Sequence, residues 1–119
     1  MPVRSLTSPV LKWPEPQKVV QALKHWVDNL VKTQTGIVRV GYFGSYARGD
    51  WGVGSDLDLV MVVEQADGPF EMRPSRFDTM ELPVPVDLLV YTVEEWQMNH
   101  KKKFFQKIDN EAIWVYRRN

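Results

Sequence analysis

The sequence predicts an α/β (α+β) chain, on three observations. Residues 15–34 carry a helical apolar stripe that needs a sheet to cover. Three short runs rich in β-branched and aromatic residues follow: IVRVGYF, LDLVMVV and VDLLVY. Turn signals and a further helical segment separate or follow them.

Each element has a local reason. In residues 15–34, Val19, Val20, Leu23, Trp26, Val27, Leu30 and Val31 recur at helical spacing, with Lys18, Gln21, Lys24 and Asp28 opposite. Pro14 and Pro16 suit the start of this helix, and Gly36 its exit. His25 beside Trp26 is expected as a surface histidine. Ile37 to Phe43 reads as a strand, and Leu57 to Val63 as a second. Residues 64–72, with Gly68-Pro69, read as a turn, and residues 74–81 as one or two helical turns. Pro83 and Pro85 delay a third strand to Val86. Thr92 and Glu95 have the spacing of a capping box, so a helix starts there and continues through Trp96 to His100. FFQKI adds a helical turn ending at Asp109-Asn110, and AIWVYRR alternates as a last short strand. Residues 1–14 are expected to be an extended lead-in to a single domain over 15–119.

Composition excludes several classes. Fifteen basic residues balance fifteen acidic ones, so charge gives no argument for nucleic-acid or membrane binding. There is no cysteine, which excludes a disulfide framework and a cysteine-ligated zinc site. Pro2, Arg4 and Pro9 interrupt the start before any apolar run, and no run approaches the ~20 residues of a membrane span. A cytoplasmic protein is the expectation. Lys101-Lys102-Lys103 is expected to be a solvated helix face, and Trp51 to pack onto the domain edge.

The chemistry is concentrated in Gly44-Ser45-Tyr46-Ala47-Arg48-Gly49-Asp50-Trp51-Gly52-Val53-Gly54-Ser55-Asp56-Leu57-Asp58. Asp is depleted in strands, yet Asp58 lies between Leu57 and Leu59. An unpartnered carboxylate is costly to bury, and a cation would supply the partner. Along a strand, Asp56 and Asp58 point the same way with Cα atoms roughly 6.5–7 Å apart, a workable spacing for a pair of divalent ions. Gly44 leaves room for close backbone approach, and Ser45 opens a short polar turn whose free N–H groups suit phosphate. If the second and third strands are neighbours, Asp87 joins the pair. The three carboxylates then face the Gly-Ser turn as a two-metal phosphoryl-transfer site.

Gly44-Ser45 followed by Asp56-x-Asp58 and a third strand aspartate, Asp87, resembles the motif of the DNA polymerase β superfamily of nucleotidyltransferases. The wording FGSYARGDWGVGSDLDLVM and the strand VDLLVYT resemble its minimal members, the MNT proteins, over residues 15–116. The resemblance implies a polymerase β-like mixed sheet of about four strands with helices packed on one side. It implies two Mg²⁺ ions (or Mn²⁺) held by Asp56, Asp58 and Asp87, the last also helping to deprotonate the attacking hydroxyl. It implies that Gly44 and Ser45 hold the terminal phosphates of a nucleotide. Where the family often has a basic residue after Gly-Ser, this chain has Tyr46, which leaves Arg48 to touch phosphate. Many MNT proteins are antitoxins paired with a HEPN-domain RNase toxin, and transfer AMP from ATP to a tyrosine of that toxin. The implied partners are thus a HEPN toxin and ATP, with a second copy of the chain as a further candidate. The alternatives are an antitoxin that neutralises its toxin by binding alone, and transfer to a nucleic acid or small molecule.

Overall fold

The computed structural model describes residues 13–118. The expected lead-in falls largely outside them. The elements are α1 (Pro16–Thr33), β1 (Ile37–Phe43), α2 (Ser45–Arg48), β2 (Leu57–Val63), a 3-10 segment (Phe70–Arg76), β3 (Val86–Thr92), α3 (Val93–Asn99), α4 (Lys103–Glu111) and β4 (Ile113–Arg117). The strands form one mixed sheet in the order β3-β2-β1-β4. β1 pairs antiparallel with β2 and with β4, whereas β2 and β3 run parallel. The expected mixed sheet of about four strands is present.

Alternation along β2 divides the core. Leu57, Leu59, Met61 and Val63 join Val19, Leu23, Trp26, Val27 and Leu30 of α1 in one cluster. Val60 and Val62 join Tyr91, Trp96, Phe105 and Ile108 in another, to which α3 and α4 contribute. α1 begins with Pro16 in its first turn and buries Val19, Leu23, Trp26, Val27 and Leu30 of its predicted stripe, with Val20 and Val31 half-buried at the margin. His25 is exposed and lies 3.3 Å from Asn29 Nδ2 through its Nε2, as a surface histidine would. Trp26 Nε1 donates to the Asp78 carbonyl at 2.8 Å, tying α1 to the loop before β3.

Two boundaries differ from the sequence expectation. The helical turns expected at 74–81 lie at Phe70–Arg76, inside part of the stretch read as a turn. Tertiary anchors override local propensity here. The Phe70 ring packs 5.0 Å from Tyr91, and the buried Arg73 reaches Glu95 in a paired contact of 2.6 and 3.0 Å. Pro74 is accommodated because the segment is a short 3-10 turn rather than an α-helix interior. α4 runs one residue beyond Asn110, to Glu111. The capping box is as predicted: Thr92 Oγ1 accepts from Glu95 N–H at 3.1 Å, and Thr92 N–H donates to Glu95 Oε1 at 2.8 Å. Among the described residues, no helix is long and apolar enough to cross a membrane.

Candidate functional site

The site forms where β1 ends, β2 begins and the end of α4 passes over them. Phe43, the last residue of β1, pairs with Asp58 of β2. Asp58 in turn pairs with Asp87 of the parallel strand β3. Register partners share a sheet face, and neighbouring strands lie only ~4.8 Å apart. The two carboxylates therefore emerge side by side. Asp56 stands just before β2 and is exposed, as is Asp87, whereas Asp58 is half-buried.

Charge crowding follows. Burial pushes the Asp58 carboxyl above the ordinary carboxylate range, and the negative charges of Asp87, Asp56 and Glu111 push it further; Arg48 opposes them. A half-buried carboxylate beside like charges favours either a proton or a cation. Carboxylate oxygens are the donors that Mg²⁺ and Mn²⁺ prefer, so Asp56, Asp58 and Asp87 fit such an ion chemically. Among the described residues, however, no three His, Cys, Asp or Glu side chains are gathered tightly enough to hold a metal as they stand.

Gly44 links strand to loop at φ +72°, ψ −150°, a backbone state essentially confined to glycine. A Cβ here would also collide with Asp58 Oδ2. This glycine lets the backbone come against the carboxylate. Ser45 opens α2, a single turn closed by Gly49, and its carbonyl accepts from the N–H groups of Gly49 and Asp50. Tyr46 is buried, its hydroxyl accepting from Trp13 Nε1 at 3.1 Å. Trp51 stacks on the Tyr46 ring at 6.1 Å and packs at the margin of the first core, an edge tryptophan as expected.

A cavity of about 170 Å³ opens between these parts, lined by Gly44, Arg48, Asp58, Phe104, Lys107 and Glu111, with Phe43 and Ile108. Of the predicted site residues, Gly44, Arg48 and Asp58 share its wall, Asp87 flanks Asp58, and Ser45 and Asp56 lie outside the lining. A larger cavity of about 290 Å³ lies at the opposite end of β2, beside Gly36, Val63 and Arg73, remote from the aspartates.

Glu111 and Lys107 are the residues that sequence reasoning missed. Glu111 Oε1 accepts from Gly44 N–H at 2.6 Å and from Arg48 Nη1 at 3.1 Å. Arg48 Nε also donates to Asp50 Oδ2 at 3.0 Å. The spacing of Lys107 and Glu111 on one helix face was visible, but no local pattern connects them with Gly44. Lys101, Lys102 and Lys103 are exposed as expected, but the first two lie in the turn between α3 and α4 and Lys103 opens α4, so the run is a solvated turn rather than a helix face.

The family model described as "Nucleotidyltransferase domain" matches residues 23–110. No curated protein matches the chain. Among solved structures, a protein described as a nucleotidyltransferase from Sulfolobus solfataricus superposes with a TM-score of 0.62 at 19% identity, over 87% of this chain and 84% of that one. A chain of a toxin–antitoxin complex with AMP-PNP gives 0.58 at 15% identity, over 81% and 74%. A chain of a mutant MntA–HpeT toxin–antitoxin gives 0.51 at 12% identity, over 89% and 75%. At such identities these likenesses speak for the fold, a polymerase β-like sheet with packed helices. The family match spans most of the chain, including the Gly-Ser turn, the Asp-x-Asp pair and Asp87. The chain belongs to the nucleotidyltransferase domain family and has the minimal nucleotidyltransferase fold found also in toxin–antitoxin complexes.

Proposed function

We propose that the protein is a metal-dependent nucleotidyltransferase that moves AMP from ATP to a tyrosine hydroxyl of a HEPN-domain toxin, and so acts as an antitoxin. The single observation that carries this reading is the pairing of Asp58 with Asp87 across parallel strands, close against Gly44. Family membership supports the reaction class. The shared fold with chains of toxin–antitoxin complexes, one of them with the ATP analogue AMP-PNP, supports the partner and the donor.

In this reading Asp56, Asp58 and Asp87 hold two Mg²⁺ ions, with Mn²⁺ as a substitute. Bound divalent cations supply charge that offsets the triphosphate and acidifies the attacking hydroxyl. Gly44 N–H, the Ser45 turn and Arg48 hold the terminal phosphates. The Asp87 carboxylate takes the tyrosine proton. The phenolic oxygen forms a bond to the α-phosphorus, the bond from that phosphorus to the bridging oxygen breaks, and pyrophosphate leaves with the electron pair. Phe104, exposed at the mouth of the cavity, offers an apolar contact for the incoming protein.

The fold shared with chains of toxin–antitoxin complexes is equally compatible with a second reading, in which the chain neutralises its toxin by binding alone. The test is incubation with labelled ATP, Mg²⁺ and a HEPN-domain RNase from the same genome, followed by mass spectrometry of that RNase. Addition of one AMP, lost in Asp58→Asn, is the expected result. Neutralisation without added mass establishes the binding antitoxin instead.

A further inference from the structure

Glu111 stands where the proposed site would hold phosphate. Its Oε1 accepts from Gly44 N–H at 2.6 Å and from Arg48 Nη1 at 3.1 Å. A backbone N–H and a guanidinium converging on one anionic oxygen is the contact pattern of a bound phosphate oxygen. The Glu111 side chain is only 15% exposed, so this is a seated group. Its seat is also electrostatically poor on one side, since Asp58 lies in the same cavity wall and feels the Glu111 charge as repulsion. Gly44 and Arg48 are the groups that hold the carboxylate there.

Resting on the nucleotide-binding reading above, we infer that Glu111 is a resident occupant of the phosphate position. Its carboxylate keeps Gly44 N–H and Arg48 satisfied until a nucleotide displaces it, and so sets how tightly any phosphate binds. The displaced side chain has a partner nearby. Lys107 lies one helical turn earlier on the same face of α4 and lines the same cavity. Glu111 lies at the end of α4, so its side chain can leave Gly44 without unwinding that helix.

The test is calorimetric titration of ATP with Mg²⁺, and separately of pyrophosphate, into the wild-type chain, Glu111→Gln, Arg48→Ala and the double variant. Circular dichroism checks the fold of each. Glu111→Gln is expected to bind both probes about tenfold tighter, the equivalent of one hydrogen bond to a charged group. That gain shrinks in the Arg48→Ala background, an effect that loss of a merely structural contact would not produce. A second readout needs no variant: the Glu111 side-chain carboxyl ¹³C resonance of the wild-type protein shifts when ATP and Mg²⁺ are added. If the wild type binds ATP but Glu111→Gln binds no tighter, or if the Glu111 resonance stays fixed at saturation, the inference is overturned and the nucleotide site stands. If no form binds ATP, the nucleotide reading falls and the inference with it.

Discussion

Gly44 is tied to its residue type by two independent constraints, its backbone angles and the carboxylate of Asp58 behind it. Gly44→Ala meets both at once. It should destabilise the protein by about 1–3 kcal/mol, the usual cost of a residue forced into a sparsely populated backbone state, and should abolish nucleotide binding. Urea unfolding checks the first part, and an alanine variant as stable as wild type would contradict it. Asp58 gives the opposite sign. Its carboxyl is held above the ordinary value of 3.8 in the folded protein, so the folded state binds a proton more readily than the unfolded chain does. Stability therefore falls as pH rises through that interval, and the charge is a net cost at neutral pH. Asp58→Asn should raise the melting temperature of the metal-free protein at pH 7, with the difference closing below pH 3.8, while nucleotidyl transfer drops by orders of magnitude. Thermal melts of the metal-free protein across pH read the first effect, and mass spectrometry of the partner after incubation with ATP and Mg²⁺ reads the second.

At the scale of the element, the junction of β3 and α3 carries the most polar structure. Glu95 closes the capping box on Thr92 and also pairs with the buried Arg73. Arg73 Nε has no partner among the described residues, so the guanidinium depends heavily on this carboxylate. The Arg73 hydrogen bonds, helped by the Thr92 backbone, bring Glu95 down to about 2. A depressed carboxyl contributes stability above its unfolded value and loses it as pH falls through the folded one. The contribution should therefore be whole above pH 4.5 and fade toward pH 2, a fall that Glu95→Gln lacks. At pH 7 that variant should lose on the order of 2–3 kcal/mol, less than a fully buried pair because Glu95 remains partly exposed. Half of this junction was legible in the sequence. Thr92 and Glu95 announce themselves by spacing alone. Arg73 does not, because its role depends on a contact 22 residues away. For the same reason the 3-10 turns were expected too late in the chain.

For the whole molecule, β2 is the shared wall. Leu59 faces the α1 cluster and Val60 faces the cluster with α3 and α4, so neither half of the core exists without the strand. Unfolding should be a single transition. Leu59→Ala should cost about 2–5 kcal/mol and Val60→Ala somewhat less, both lowering one common midpoint. Two separated transitions by calorimetry would refute this. The same strand explains how far the sequence could be read. Gly44, Ser45, Asp56 and Asp58 lie within one turn-and-strand stretch, and Asp87 enters through the apolar pattern of a neighbouring strand. Alternation and turn chemistry therefore outline that wall of the site. Glu111, Lys107 and Phe104 arrive through the packing of α4 over the sheet, a relation no local periodicity encodes.

The stack of Trp51 on Tyr46 has an optical consequence. Tyr46 follows Ser45 directly, so the indole is coupled through one ring to the turn beside Gly44. Trp51 is half-buried, as are Trp114 and Trp13, which donates to the Tyr46 hydroxyl, whereas Trp26 and Trp96 are buried in the two cores. Its emission should therefore respond to events at that turn. Subtracting the spectrum of Trp51→Phe would isolate the signal, giving the chain a built-in fluorophore with which to time the arrival of a ligand without any label.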